Sequence, residues 1–114
     1  MKDDLAVVLE AAPGFVVRYL ELVESADGDP GMAATLTELA DYVAGLAAQI
    51  ERFRPVLARC LQGVESVAAS SDDGAELVAW AFLDSLPPDD RRALAGWLGP
   101  RTSALMEELE PGPG

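Results

Sequence analysis

The chain has 114 residues, with 20 acidic side chains against 8 basic ones, a formal net charge of −12 and no histidine. That charge repels nucleic acid and anionic lipid and attracts basic proteins, and the missing histidine removes the commonest acid–base group near neutral pH and the commonest metal ligand. Half of the residues are apolar, so one core can form at this length without disulfides or metal.

Apolar residues recur at spacings of three and four throughout, and no segment alternates with period two. The expected architecture is all-α: a compact bundle of six to seven short antiparallel helices, or a stack of helical hairpins. The first helix spans about Asp3 to Ala12, with Leu5, Val8 and Leu9 on one side, and Pro13-Gly14 breaks it. The second spans about Phe15 to Ser25, with Phe15, Val16, Tyr19, Leu20 and Val23 facing inward, and the Asp27–Gly31 turn stops it. The third runs from about Ala33 to Phe53. Thr35-x-x-Glu38 suggests a capping box near its start, and Leu36, Leu39, Ala40, Val43, Leu46, Ala47 and Ile50 form the clearest apolar stripe in the chain.

Pro55 suits the first turn of a fourth helix, with a stripe of Val56, Leu57, Cys60, Leu61, Val64 and Val67. Ser70-Ser71-Asp72-Asp73-Gly74 is the next loop and cap. The fifth helix, about Asp73 to Leu86, is apolar nearly all round and is expected at the centre of the fold. Pro87-Pro88-Asp89-Asp90 opens a sixth helix with Leu94, Trp97 and Leu98 inward. Gly99 reads as its C-cap, and Pro100 opens a seventh helix with Leu105, Met106 and Leu109. Residues 1–110 are expected to form a single domain, followed by a flexible tail at 111–114. The predicted core comprises Leu39, Val43, Ile50, Leu61, Val64, Leu77, Trp80, Ala81, Leu83, Trp97 and Leu98.

No apolar run reaches the roughly 18 residues of a membrane span, and the first ten residues lack the basic lead and long apolar centre of a secretory signal. Cys60 is the only cysteine, which fits a reducing cytoplasm, and its spacing reads as a buried small hydrophobe. Asp84-Ser85-Leu86 is similar to the Asp-Ser-Leu of acyl carrier proteins, whose serine carries a phosphopantetheine arm. Pro87-Pro88 follows at once, however, and Ser85 ends a helix where a carrier serine opens one. Asp72, Asp73 and Glu76, and likewise Asp89 and Asp90, lack the Asp-x-Asp-x-Asp-Gly loop of a calcium site and read as helix-start residues. No glycine loop for phosphate and no nucleophile elbow is present. Catalysis, cofactors and metals are therefore not expected. Trp80 and Trp97 lie at core spacing, against the alternative that they anchor a partner.

The acids are unevenly spread. Residues 1–51 hold ten acids and two bases, −8, whereas residues 52–114 hold ten acids and six arginines, −4. Glu21, Glu24, Asp27, Asp29, Glu38 and Asp41 cluster around one helix-turn-helix, with Glu65, Asp72, Asp73 and Glu76 as secondary candidates. Such a face either keeps a protein soluble or docks a basic partner, and composition leaves both open.

From Pro13 to Leu109 the chain resembles a family of small, uncharacterised all-helical bacterial proteins that look like polymorphic-toxin immunity proteins. The resemblance rests on Phe15, Leu39-Ala40, Val64-Glu65, Phe82-Leu83 followed by Leu86, and Leu98-Gly99-Pro100-Arg101. It implies a helical fold and a protein partner, such as a basic nuclease-like toxin. The expected function is therefore that of a non-catalytic, acidic, cytoplasmic protein-binding domain. The alternative is a small carrier-type or structural helical protein. Oligomeric state is not legible.

Overall fold

The computed structural model describes residues 4–109; the expected tail at 111–114 and the proposed helix start at Asp3 lie outside them. Seven α-helices are present among the described residues, with no strand: α1 (Asp4–Ala11), α2 (Val16–Ala26), α3 (Gly31–Ala47), α4 (Arg54–Ser70), α5 (Asp72–Leu77), α6 (Pro88–Leu94) and α7 (Pro100–Leu109). A 3₁₀ turn at Pro13–Phe15 links α1 to α2, a π-helical segment at Val78–Leu83 continues α5, and a second 3₁₀ turn at Ala95–Trp97 follows α6.

α4 is the hub. α1 lies along one side of it, α5 and α7 pack on others, and α3 packs on the π segment. The approach of α1 to α4 depends on a missing side chain. A Cβ at Gly63 of α4 would stand 2.6 Å from the Cβ of Ala11, so glycine lets α1 approach the α4 backbone. Fully buried Phe15, Leu36, Leu39, Leu57, Leu61, Val64, Phe82, Leu83 and Leu94 fill the centre, and burying each stabilises the fold by about 1.5–3 kcal/mol before entropy is counted.

Local chemistry explains the boundaries. α2 stops in a Schellman motif: the Gly28 N–H donates to Val23 O (3.1 Å), the Asp27 N–H donates to Glu24 O (3.3 Å), and Asp27 is left-handed at φ 54°. Aspartate is among the few side-chain-bearing residues that enter that region readily. The Gly31 N–H then donates to Asp29 Oδ1 at 2.9 Å, which turns the chain into α3. α3 therefore begins two residues earlier than expected, and Thr35 forms no capping box. It is buried, and its hydroxyl donates back to Gly31 O at 2.7 Å. α3 also ends earlier than expected, at Ala47, and residues 48–53 form tight turns.

α4 and α5 meet with one extended residue between them. Ser71 accepts from the Gly74 N–H at 2.9 Å as the N-cap. Gly74 itself lies against the Val67 carbonyl, where a side chain would collide. The last turn of the α5–π element leaves carbonyls without helical partners. Ala81 O faces the Thr37 hydroxyl of α3 at 3.1 Å, and Leu83 O accepts from Leu86 N–H at 3.2 Å.

The core differs from expectation in specific places. Leu39, Val43, Leu61, Val64, Ala81 and Leu83 are buried, whereas Ile50, Leu77, Trp97 and Leu98 are half-buried at its margin. Trp80 is 52% exposed and Leu20 is 59% exposed, and Val56 also reaches solvent. Trp80 is outward because Val78, Ala81, Phe82 and Leu83 take the inward directions of the π segment. Leu20 is outward because α2 packs chiefly on α3 and on the 3₁₀ turn before it, and no residue of α2 is buried. Gly99 is not a left-handed C-cap; a Cβ there would meet the Glu65 side chain at 2.5 Å. Among the described residues no helix is long and apolar enough to cross a membrane.

Candidate protein-binding surface

α2 presents an outer stripe of Val17, Leu20, Glu21 and Glu24, at the i, i+3, i+4, i+7 spacing that places side chains on one helix face. Val17 is 64% exposed, and both glutamates are exposed. Two aliphatic side chains thus stand beside two carboxylates on a helix whose other side is only half-covered. Asp27 and Asp29 extend the negative charge through the turn, both exposed. The two also serve the backbone, Asp27 by its left-handed conformation and Asp29 by accepting from Gly31.

Glu38 and Asp41 belong to a different arrangement. Arg18 of α2 reaches across to α3, with its Nη1 2.9 Å from Asp41 Oδ2 and 3.8 Å from Glu38 Oε1. Its guanidinium carbon also lies 5.6 Å from the Tyr42 ring centroid. Arg18 therefore partly neutralises these two acids and ties α2 to α3. Behind it, Tyr42 leans on Phe15 with ring centroids 5.8 Å apart. Burial raises the Tyr42 pKa, Cys60 adds to the rise, and Arg18 opposes it.

Glu65 is turned into the fold. Its Oε1 accepts from the Thr102 N–H and the Thr102 hydroxyl, each at 2.9 Å, and its Oε2 accepts from the Arg101 N–H at 3.1 Å. The carboxylate thus caps the positive end of α7 from α4. Position 65 looks like an ordinary surface acid because its partners lie 36 and 37 residues away, and the Leu98-Gly99-Pro100 sequence that opens α7 is the only signal of a terminus needing a cap.

Asp72, Asp73 and Glu76 are exposed on the first turns of α5, with the first two at its positive end. Asp73, Glu76 and Leu77 line an open groove with Trp80. The spacing of Asp73, Glu76, Trp80 and Asp84 marks a solvent-facing side, and this signal could have placed Trp80 outward from sequence.

Cys60 is buried, and desolvation raises its thiol pKa to about 11. Alkylation at pH 8 should be slow in the native state and rapid in denaturant, which timed labelling with iodoacetamide will measure. Because the folded thiol holds its proton above the ordinary value of 9.0, its contribution to stability is complete below pH 9 and falls as pH rises towards 11. Ser85 is exposed in the turn after the π segment. Among the described residues no group of three or more His, Cys, Asp or Glu side chains is placed to hold a metal.

Comparison of the chain with known protein families, curated proteins and solved structures gave no match.

Proposed function

We propose that this chain is a non-catalytic, acidic, cytoplasmic protein-binding domain that docks a basic partner on the outer face of α2 and the adjoining turn. The observation that carries the reading is the exposed stripe of Val17, Leu20, Glu21 and Glu24 on a helix with no buried residue. Aliphatic side chains in water gain by being covered, and the flanking carboxylates select a cationic surface to cover them. An immunity protein that blocks a basic, nuclease-like toxin is the specific form of this reading. Blocking requires shape and charge but no chemistry, which suits a chain without histidine. Glu21 and Glu24 lead, Asp27 and Asp29 follow, and Glu38 and Asp41 contribute less because Arg18 already offsets them.

The test starts from a partner recovered by pull-down from native host cells. Its on-rate should fall steadily as salt rises and the screening length shrinks from roughly 10 Å at 0.1 M. A variant carrying Glu21→Gln, Glu24→Gln, Asp27→Asn and Asp29→Asn should associate about tenfold more slowly at low salt. The amide replacements preserve the left-handed residue and the turn acceptor, so its melting temperature should stay close to that of the parent. If the variant associates as fast as the parent, the face is merely solvated. The carrier-type alternative has a separate readout, a phosphopantetheine mass increment at Ser85 after treatment with a transferase.

A further inference from the structure

We infer that the outer face of the α5–π element is a second docking surface, built to receive an arginine of a basic partner segment over the Trp80 indole. This inference rests on the reading of the chain as a binder of basic proteins and adds a separate anchor to it. Trp80 is the largest side chain left in water, 52% exposed in a fold that buries both of its large neighbours, Phe82 and Leu83. Leu77 lies beside it in the same groove, with Asp73 and Glu76 on the rim. Asp84, one turn further on, is also exposed. None of these three acids makes an ion pair with a cation among the described residues.

Each part of the face points to the same occupant. An exposed indole carries a large apolar area and a negative π face, and tryptophan is the preferred ring for a cation. Carboxylates at the groove edge can hold the N–H fork of a guanidinium lying flat on that ring, which lysine cannot match with a point charge. The chain supplies the same pairing internally elsewhere: Arg54 lies 5.8 Å from the Trp97 ring centroid and bonds Glu51 at 2.9 Å. A second copy of this chain is a poor occupant, since both copies would carry −12.

The probe is a labelled short peptide of alternating arginine and leucine, titrated by fluorescence anisotropy at low ionic strength beside a lysine-for-arginine version. The parent should prefer the arginine peptide by roughly threefold. Trp80→Ala should weaken arginine-peptide binding by about tenfold or more and abolish that preference. Trp80→Phe, which keeps a ring, should retain part of both. Circular dichroism melts should show all variants folded, because Trp80 lies outside the core. Equal affinity of parent and Trp80→Ala overturns the inference, and so does equal affinity of the parent for the two peptides. Glu21→Gln with Glu24→Gln separates the two surfaces. If that pair alone weakens peptide binding, the α2 face stands and the Trp80 anchor falls. If Trp80→Ala weakens it, with or without an effect of the glutamate pair, the anchor stands, and the α2 face is decided by the on-rate of the recovered partner.

Discussion

Phe82→Ala should destabilise the protein by about 3–5 kcal/mol, and Trp80→Ala, two residues earlier, should cost less than about 1. Both are large aromatics in one π segment, so helix propensity and local chain position are nearly the same for the two. Burial separates them. Phe82 is fully enclosed, in a cluster with Leu83, Leu36 and Leu39, whereas Trp80 is 52% exposed. Truncating Phe82 removes its transfer free energy and leaves a cavity that neighbouring helices can fill only in part. A domain of this size has about 5–15 kcal/mol in total, so Phe82→Ala should lower the melting temperature by roughly 10–20 °C. Urea melts of the two variants will give both values. Equal costs would place Trp80 inside the fold and remove the basis for an anchor there.

The same pair of residues shows how far the sequence could be read. Spacing of apolar residues at three and four located all seven helices, because an amphipathic helix must turn one stripe to the core whatever its neighbours are. It failed where a segment is apolar on every side. In Val78-Ala79-Trp80-Ala81-Phe82-Leu83 the apolar spacing alone cannot say which residue is left outside; only the flanking acids Asp73, Glu76 and Asp84 mark the side of Trp80 as outward, and α3, α7 and α4 pack on the segment. Leu20 failed for a related reason. α2 has a respectable apolar side, but the fold supplies too little surface to cover it. Thr35 and Gly99 read in the sequence as local caps because capping is the commonest use of such residues. Their actual contacts are Gly31 O, one turn back, and Glu65, across the fold.

The acids divide by what lies beside them, which composition does not record. Glu21 and Glu24 stand next to exposed aliphatics, Glu38 and Asp41 next to Arg18, and Glu76 next to Leu77 and Trp80. A carboxylate with an internal cation has its field spent within the molecule. One without a cation adds to the potential felt by an approaching partner. At both candidate faces unpaired acids coincide with uncovered apolar surface, Val17 and Leu20 on α2 and Trp80 on the π segment.

Glu65→Ala should cost about 2–3 kcal/mol, far more than removing Glu21, Glu24, Asp73 or Glu76, although nothing in its sequence neighbourhood distinguishes it. The substitution strips two backbone N–H groups and the buried Thr102 hydroxyl of their acceptor. Hydrogen bonds to a charged acceptor are each worth more than neutral ones, and the carboxylate also faces the positive end of α7, where charge alone contributes about 0.3–1 kcal/mol. Glu65→Gln should cost less, about 1–2 kcal/mol, because one oxygen remains while its new NH₂ confronts an N–H donor. Thr102→Val should be partly redundant with Glu65→Ala, giving a coupling of about 1 kcal/mol in a double-mutant cycle. Gly99→Ala should reproduce part of the loss, since the added Cβ would push the Glu65 side chain aside. Hydrogen exchange will locate the damage, with protection falling first over Pro100–Leu109 and last in α4. A cost below about 0.5 kcal/mol for Glu65→Ala, with exchange over α7 unchanged, would show that α7 holds its place without this cap. Glu65 would then return to the pool of acids free to meet a partner.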